Sequence, residues 1–421
     1  MAGPRAPVVQ ETATVTTPSP VADPPDETPA FTPRWSHLVK DIPDWVGRAP
    51  RAPITFAWGL PDTPSFPSQE LTSATELVLR EHSDRALQYG PARGAPPLIE
   101  ALTAKLNHDE NLGLTTDELL ITNGASQALG LITRTMIDPG DTVLVEAPTW
   151  PGALNMLRRA GAQLAGLPFD AQGLDLAAME SRLEALAAQG VHPKLFYTIP
   201  TFQNPTGLTL SAERRAALLD LAGRYDLLVV EDDAYRELSY DGPVPPSLQA
   251  LDDEGRVIRI GTFSKTLGAG LRLGWALGRP ELLHTLMAFK EDGGTSPFSS
   301  YVVAAYMVAG ALGPHIADLV ALYRQKRDIM LRAIEWYFPA EVTWTRPAGG
   351  FFVWVILPER LDAADLLARA REEGVDFLLG DGCFPEAGTA YHTLRLAFSQ
   401  PTTDQIEEGI KRLGDVLKTM L

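Results

Sequence analysis

From residue 73 onward the apolar positions keep two rhythms. Short, nearly unbroken apolar runs at 119–122, 142–146, 163–167, 194–199, 227–231, 257–261 and 273–277 have strand length and strand composition. Between them apolar residues recur at helical spacing, as Ala217, Leu218, Leu221 and Ala222 do within 214–225. Apolar strands alternating with helices predict a largely parallel sheet covered on both faces. Ligands of such sheets sit at the carboxyl ends of the strands. Past residue 312 the texture changes. A long helical stretch over 314–337 leads into strand-like runs at 342–345, 351–357, 375–378 and 393–397, with helices expected over 363–373 and 403–421. This reads as a smaller α+β domain. Residues 1–30 are rich in Pro, Thr, Ala and acids and nearly lack large apolar side chains, so they are expected to be disordered. The expected layout is a tail over 1–30, an arm over 31–72 packing with the small domain, a large α/β domain over 73–312 and the small domain over 313–421.

Composition narrows the classes. The chain has 421 residues, 45% of them hydrophobic, and a formal net charge of −17. That length and apolar content allow a sizeable core. A strongly anionic surface repels phosphate backbones and anionic lipid, so neither nucleic acid nor membrane is expected as a partner. No apolar run approaches the roughly 18 residues a membrane helix requires. The N-terminus lacks an apolar signal core, and Cys383 has no second cysteine to pair with. A cytoplasmic location is expected. The seven histidines show no metal-ligand spacing, and no metal is predicted.

Three strand ends carry chemistry. One apolar run passes into Glu231-Asp232-Asp233 and then Ala234-Tyr235. A second ends in Gly261-Thr262-Phe263-Ser264-Lys265 and continues through Gly268 and Gly270 to Arg272. A third ends in Ile199-Pro200-Thr201-Phe202-Gln203-Asn204-Pro205-Thr206-Gly207. Taken singly, these have plainer readings. Lys265 could be a surface lysine, and the acid triplet could hold Mg²⁺, although no second carboxylate cluster accompanies it.

Taken together and in this order, Asn-Pro-Thr-Gly, Asp-x-x-Tyr and Ser-Lys-x-x-x-x-x-x-Arg resemble the class I/II aminotransferases of fold type I. The resemblance runs from about Phe56 to the C-terminus and is closest in texture to the aminoadipate, aromatic and branched-chain members. It implies a seven-stranded, mostly parallel sheet in the large domain and pyridoxal 5'-phosphate as cofactor. Lys265 would carry that cofactor as a Schiff base and shuttle a proton. Asp232 would pair with the pyridine nitrogen, making the ring an electron sink. Tyr235 and Asn204 would hydrogen-bond the phenolic oxygen. Arg272, Thr262 and Ser264 would bind phosphate, joined by the backbone of Gly124-Ala125-Ser126 at a helix start. Trp150 would stack on the ring. Tyr89 would reach the phosphate of a neighbouring subunit, which implies a homodimer with shared sites. Arg395 would take the substrate's α-carboxylate, with Gly59, Asn204 and Trp58 beside it.

Three features depart from the family pattern. Trp58 stands where a small residue is common and is expected to narrow the substrate mouth. Leu379-Gly380-Asp381-Gly382-Cys383-Phe384 replaces a Pro-Gly-containing turn, and the extra acid, Asp381, near Arg395 is expected to repel a carboxylate side chain of the substrate. Ile99, after Pro97-Leu98, stands where an arginine is usual and is read as a structural change. The expected reaction passes an amino group from an α-amino acid to a 2-oxo acid. The same residues also serve C–S lyases, decarboxylating deaminases and oxidases, and related domains act as ligand sensors in transcription regulators. The regulators carry a DNA-binding domain ahead of the shared region, where this chain has only about 30 polar residues.

Overall fold

The computed structural model describes residues 52–170 and 172–421. The disorder expected over 1–30, and the first half of the expected arm, lie outside the described residues. Fourteen strands are described: β1 (Ile54–Thr55), β2 (Leu119–Thr122), β3 (Thr142–Ala147), β4 (Gln163–Asp170), β5 (Gly173–Leu174), β6 (Leu195–Thr198), β7 (Leu228–Asp232), β8 (Val257–Thr262), β9 (Gly274–Leu277), β10 (Thr343–Trp344), β11 (Phe352–Ile356), β12 (Val375–Asp376), β13 (Leu378–Leu379) and β14 (Thr393–Ala397). The seven apolar runs of the first half all form strands of one sheet, ordered β2-β9-β8-β7-β6-β3-β4-β5. The eighth, β5, is a two-residue edge strand too short to stand out as a run.

Direction explains where the site must lie. β8, β7, β6, β3 and β4 pair in parallel, while β9 is antiparallel to both β8 and β2. β2 therefore points the same way as the parallel set. The carboxyl ends of β2, β3, β6, β7 and β8 share one edge, and β9 starts there. Its first residue, Gly274, lies opposite both Thr122 and Thr262. A Cβ on Gly274 would fall 2.5 Å from Gly124 C and 2.6 Å from Gly261 O, so only glycine lets the three backbones approach.

Alternation along the strands gives the sheet two cores. Val143, Val145, Tyr197, Val230, Ile258 and Ile260 pack under the helices Ala125–Met136, Pro151–Arg159 and Pro280–Ala288. Leu144, Phe196, Val229 and Val257 pack under Leu176–Ala188 and Ala212–Arg224. The last helix begins on Ser211, whose hydroxyl accepts from Arg214 N, as N-caps do. Ala217, expected on its apolar stripe, is exposed, and Arg215 is fully buried instead.

The second half builds an antiparallel sheet, β10-β11-β14-β13. The helices Leu312–Tyr337, Ala363–Glu372 and Thr403–Met420 pack on it through Ile334, Leu366, Ile410 and Leu413. The run expected as one strand over 375–378 is split. Val375–Asp376 pairs in parallel with β1, and Leu378–Leu379 pairs with β14. Beyond β1, Phe56 accepts from Ala397 N through its carbonyl (2.8 Å), which ties residues 54–59 to the strand that carries Arg395. Among the described residues no single helix is long and apolar enough to cross a membrane.

Candidate active site

Lys265 lies in a short π-helical turn, Ser264–Gly268, directly after β8. Its Nζ donates to Gly59 O at 2.8 Å and sits 5.9 Å from the ring centres of Tyr235 and Phe351. Burial, with Arg395 and Arg272 adding positive potential, brings the ammonium down to about 8 against the opposing pull of Asp232. An amine so placed is available as a nucleophile near neutral pH.

Asp232 ends β7. Its Oδ2 accepts from Tyr197 Oη at 2.7 Å, and its buried Oδ1 has no hydrogen-bond partner. Burial pushes this carboxyl up to about 6, with Asp233 adding to the rise, while Tyr197 and Lys265 oppose it. The neighbouring acids diverge from it because strand residues alternate in direction. Glu231 accepts from Leu248 N and Gln249 N, and Asp233 accepts from Arg259. The triplet therefore does not converge on an ion, and among the described residues no cluster of three potential metal ligands is found. Tyr235 is buried, edge-on to Phe351 and Phe352, and burial raises its phenol well above the usual value.

A second set of donors lies where β2, β8 and β9 meet. Gly124, at φ +77°, precedes the helix Ala125–Met136, whose first-turn N–H groups have no acceptor within the helix. Ser264 N donates to Thr262 Oγ1 at 3.1 Å, and the two hydroxyl oxygens are 2.9 Å apart. Arg272 takes a left-handed backbone (φ +54°), and its guanidinium reaches Ala269 O and Asn123 O. A Cβ on Gly124 would lie 3.0 Å from Arg272 Nη2, so the glycine keeps the arginine against the helix start. Cationic and N–H donors gathered in this way suit a phosphate.

Arg395 stands in the middle of β14. Its Nη1 donates to Asn204 Oδ1 (2.8 Å), its Nη2 donates to Ala57 O (2.6 Å), and its buried Nε is unpaired. The guanidinium carbon lies 4.1 Å from the Phe352 ring centre. Gly59 is tightly constrained, since a Cβ there would fall 2.5 Å from the Phe352 ring. Trp58 beside it is half-buried. Trp150 is half-buried at the start of Pro151–Arg159, and a Cβ on Gly152 would strike its indole at 2.3 Å.

The fold places two of the three departures. Asp381 commits its carboxylate to its own loop, accepting from Gly388 N (3.0 Å) and Ala390 N (3.3 Å), which weakens the repulsion expected against a carboxylate side chain of the substrate. Ile99 is 5% exposed, a core residue of the helix Pro96–Glu110. Tyr89, by contrast, is 85% exposed, and no contact of this single chain brings it to Lys265 or Arg272.

Sequence reasoning missed the layer behind the site. Tyr197, Glu146 and Gln203 looked like strand and turn residues, yet Tyr197 holds Asp232, and Glu146 is buried with three donors around it. Arg259 is buried between Asp233 and Glu110, far from the surface role that a charged residue in a strand suggests.

This geometry has known counterparts. The family model for aminotransferase class I and II matches residues 54–413. The chain belongs to that family. An aromatic-amino-acid aminotransferase of Thermococcus litoralis is 40% identical over 87% of this chain and 88% of its own length. A 2-aminoadipate transaminase of Thermus thermophilus is 38% identical over 87% and 91%. The crystal structure of Pyrococcus horikoshii kynurenine aminotransferase in complex with PMP superimposes with a TM-score of 0.85 at 40% identity, covering 87% of this chain and 91% of that one. The protein is an aminotransferase acting on amino acids, with pyridoxal phosphate as cofactor. The residues present fit that group. Asp232 Oδ1 is an orphaned acceptor where a protonated ring nitrogen would bind, the helix start at Gly124 offers free N–H donors, and Lys265 supplies the amine.

Proposed function

We propose that this aminotransferase passes the amino group of an apolar or aromatic α-amino acid to a 2-oxo acid. In this reading Lys265 holds the cofactor and, once released, moves the proton at the substrate's α-carbon. Bound pyridoxal phosphate supplies an electron sink for the charge that develops there. Asp232 keeps a proton on the ring nitrogen through Oδ1 while Tyr197 orients Oδ2. Tyr235 and Asn204 hydrogen-bond the ring oxygen, and Trp150 covers the ring. Thr262, Ser264, Arg272 and the N–H groups of Ala125 and Ser126, entered through Gly124, anchor the phosphate. Arg395 orients the substrate's carboxylate through its free Nε, and its bond to Ala57 O, like that of Lys265 to Gly59 O, holds it against the segment Ala57–Gly59. The observation that carries the reading is the convergence of a buried amine lowered to about 8 with a buried guanidinium that keeps one donor free. The aromatic surroundings, with Phe352 under Arg395 and Trp58 next to Gly59, favour an apolar substrate side chain.

We also propose that two copies share their sites. Tyr89 borders a surface hollow of about 310 Å³ with Leu87, Asp292 and Pro297. Leu87 is 68% exposed and Tyr89 85%, and the two adjoin on the rim of this hollow. A partner copy would bury both and bring Tyr89 to the neighbouring phosphate.

The test is turnover of an amino-acid panel with 2-oxoglutarate, read as glutamate formed. Phenylalanine, tyrosine and leucine are expected to react. If no member of the panel yields glutamate, the reading is wrong. Sedimentation of the loaded protein tests the dimer, and a monomer with full activity would remove Tyr89 from the site.

A further inference from the structure

Against the turn that carries Asn204 lies a carboxyl that the proposed reaction does not use. Glu146, near the end of β3, is fully buried. Its Oε1 accepts from Thr198 Oγ1 (2.5 Å), and its Oε2 accepts from Ile199 N (3.2 Å) and from Gln203 Nε2 (3.1 Å). These partners are all neutral donors, and none of its hydrogen bonds comes from a cation. Burying a carboxyl among neutral groups is costly, and an apolar side chain of similar size would fill the same volume at less cost. Burial pushes the group up to about 7, which records that cost. Such a group needs a reason beyond filling space.

Its partners supply the reason. Gln203 is the hub of the next turn. Its Nε2 also donates to Pro148 O (2.8 Å), while its Oε1 accepts from Thr206 N and Thr206 Oγ1, both at 2.8 Å. Pro148 belongs to the turn that ends in Trp150. Gln203 is the covalent neighbour of Asn204, whose Oδ1 receives Arg395 Nη1. The turn also contains Phe202 at φ +49°, a left-handed backbone that a bulky residue adopts only when its surroundings impose it. The Phe202 ring is confined from the other side, since a Cβ on Gly349 would meet it at 2.3 Å. A turn in an unfavourable conformation therefore carries Asn204, and Glu146 grips it from below.

We propose that Glu146 is a positioning residue for transamination: through Gln203 it locks the turn that carries Asn204 to the turn that carries Trp150, and so sets the position of Arg395 and the cofactor ring together. The inference rests on the aminotransferase reading of the site. The line Glu146, Gln203, Asn204, Arg395 runs from the sheet interior to the substrate's carboxylate, and a shift at its buried end is carried to the group that binds substrate.

The test compares Glu146→Gln and Glu146→Ala in the full chain loaded with pyridoxal phosphate. A glutamine can accept from Ile199 N and Gln203 with its oxygen and donate to Thr198 Oγ1 with its amide, so it retains the grip without the charge. Expected for Glu146→Ala are a rise of about tenfold or more in the amino-acid KM and a weaker cofactor dissociation constant by a similar factor, as for loss of a buried hydrogen-bonded group. Its visible absorbance maximum should shift, with a smaller change in kcat. Expected for Glu146→Gln are values within about twofold of wild type on the same scale. Gln203→Met, which leaves Glu146 in place and removes the link, is expected to repeat the alanine result and serves if Glu146→Ala does not fold. Should Glu146→Ala and Gln203→Met lower only the melting temperature, with KM, cofactor dissociation and spectrum unmoved, the residue is structural and the proposal fails. Equal losses in Glu146→Gln and Glu146→Ala would overturn it too, because charge and not the grip would then be acting. Wild-type protein that takes up no cofactor would overturn the site reading itself, a result separable from either.

Discussion

The two ends of the site are built from different materials. At the ring end the functional groups stand on strands or at their immediate ends, are buried, and are shifted in proton affinity: Asp232 to about 6, Lys265 to about 8. At the phosphate end the groups are backbone N–H donors, two hydroxyls and an arginine on a left-handed residue. Burial is what makes the first end reactive, because a low-dielectric setting moves protons onto carboxyls and off amines. The second end needs no such shift. In the proposed reading it would only have to hold a dianion, and a helix start with a guanidinium suits that while partly solvated. Chemistry and anchoring are therefore separable here, and variants should separate them.

The largest effect is expected for Lys265→Ala, with kcat falling on the order of 10^4-fold or more as proton transfer and covalent attachment are lost. Cofactor should still bind through the phosphate end, as equilibrium dialysis would detect. Loss of all binding would mean that the two ends are not separable. Next comes Asp232→Asn, for which kcat should fall on the order of 10²- to 10³-fold, because an amide cannot hold a proton on the ring nitrogen. An unchanged kcat would remove Asp232 from its role. At the other end, Ser264→Ala should weaken cofactor retention by about tenfold or less while leaving the kcat of fully loaded enzyme near wild type. A fall in kcat at saturating cofactor would contradict the division.

The smallest effect concerns stability against pH in the cofactor-free protein. Asp232 and Glu146 bind their protons more tightly folded than unfolded, at about 6 and about 7 against ordinary values of 3.8 and 4.5. Their contribution to stability is therefore fully present below the unfolded values and is lost as pH rises through the folded ones. Asp232→Asn should flatten the part of that fall below about pH 6, read from melting temperature between pH 4 and pH 8. A wild-type melting curve and an Asp232→Asn curve with the same slope would mean that the carboxyl is not shifted.

The same contrast explains what could be read from the chain before its fold. The strands were legible because both faces of the large sheet are covered, so the runs are continuously apolar. Lys265, Asp232 and Asn204 stood out as candidates because they follow or end such runs with chemistry-bearing side chains, whereas Arg395, inside a strand of the smaller sheet, stood out only through the resemblance of the whole motif series. Tyr197 was not, because an aromatic inside Leu195–Thr198 has the look of any core residue until Asp232 is seen 2.7 Å away. Arg215 has the look of an exposed helix charge. It is buried because Leu210, Pro246 and Pro200 carbonyls and the Thr201 hydroxyl all turn toward it, an arrangement that depends on loops distant in sequence. Glu146 was hidden for a related reason: an acid at the end of a strand usually meets water, and only the crossing of two turns covers it. The edge strand Gly173–Leu174 is two residues long and leaves no periodic trace. Tyr89 belongs to a third kind, since its expected partner lies on another copy of the chain.

The most direct measurement of the central claim is borohydride reduction of the purified protein after incubation with pyridoxal phosphate, followed by peptide mass analysis. A yellow protein is expected, its visible absorbance band disappearing on reduction, with the added pyridoxyl mass on the peptide containing Lys265 and on no other lysine. A protein that stays colourless with added cofactor, or a label that falls on another lysine, would contradict it.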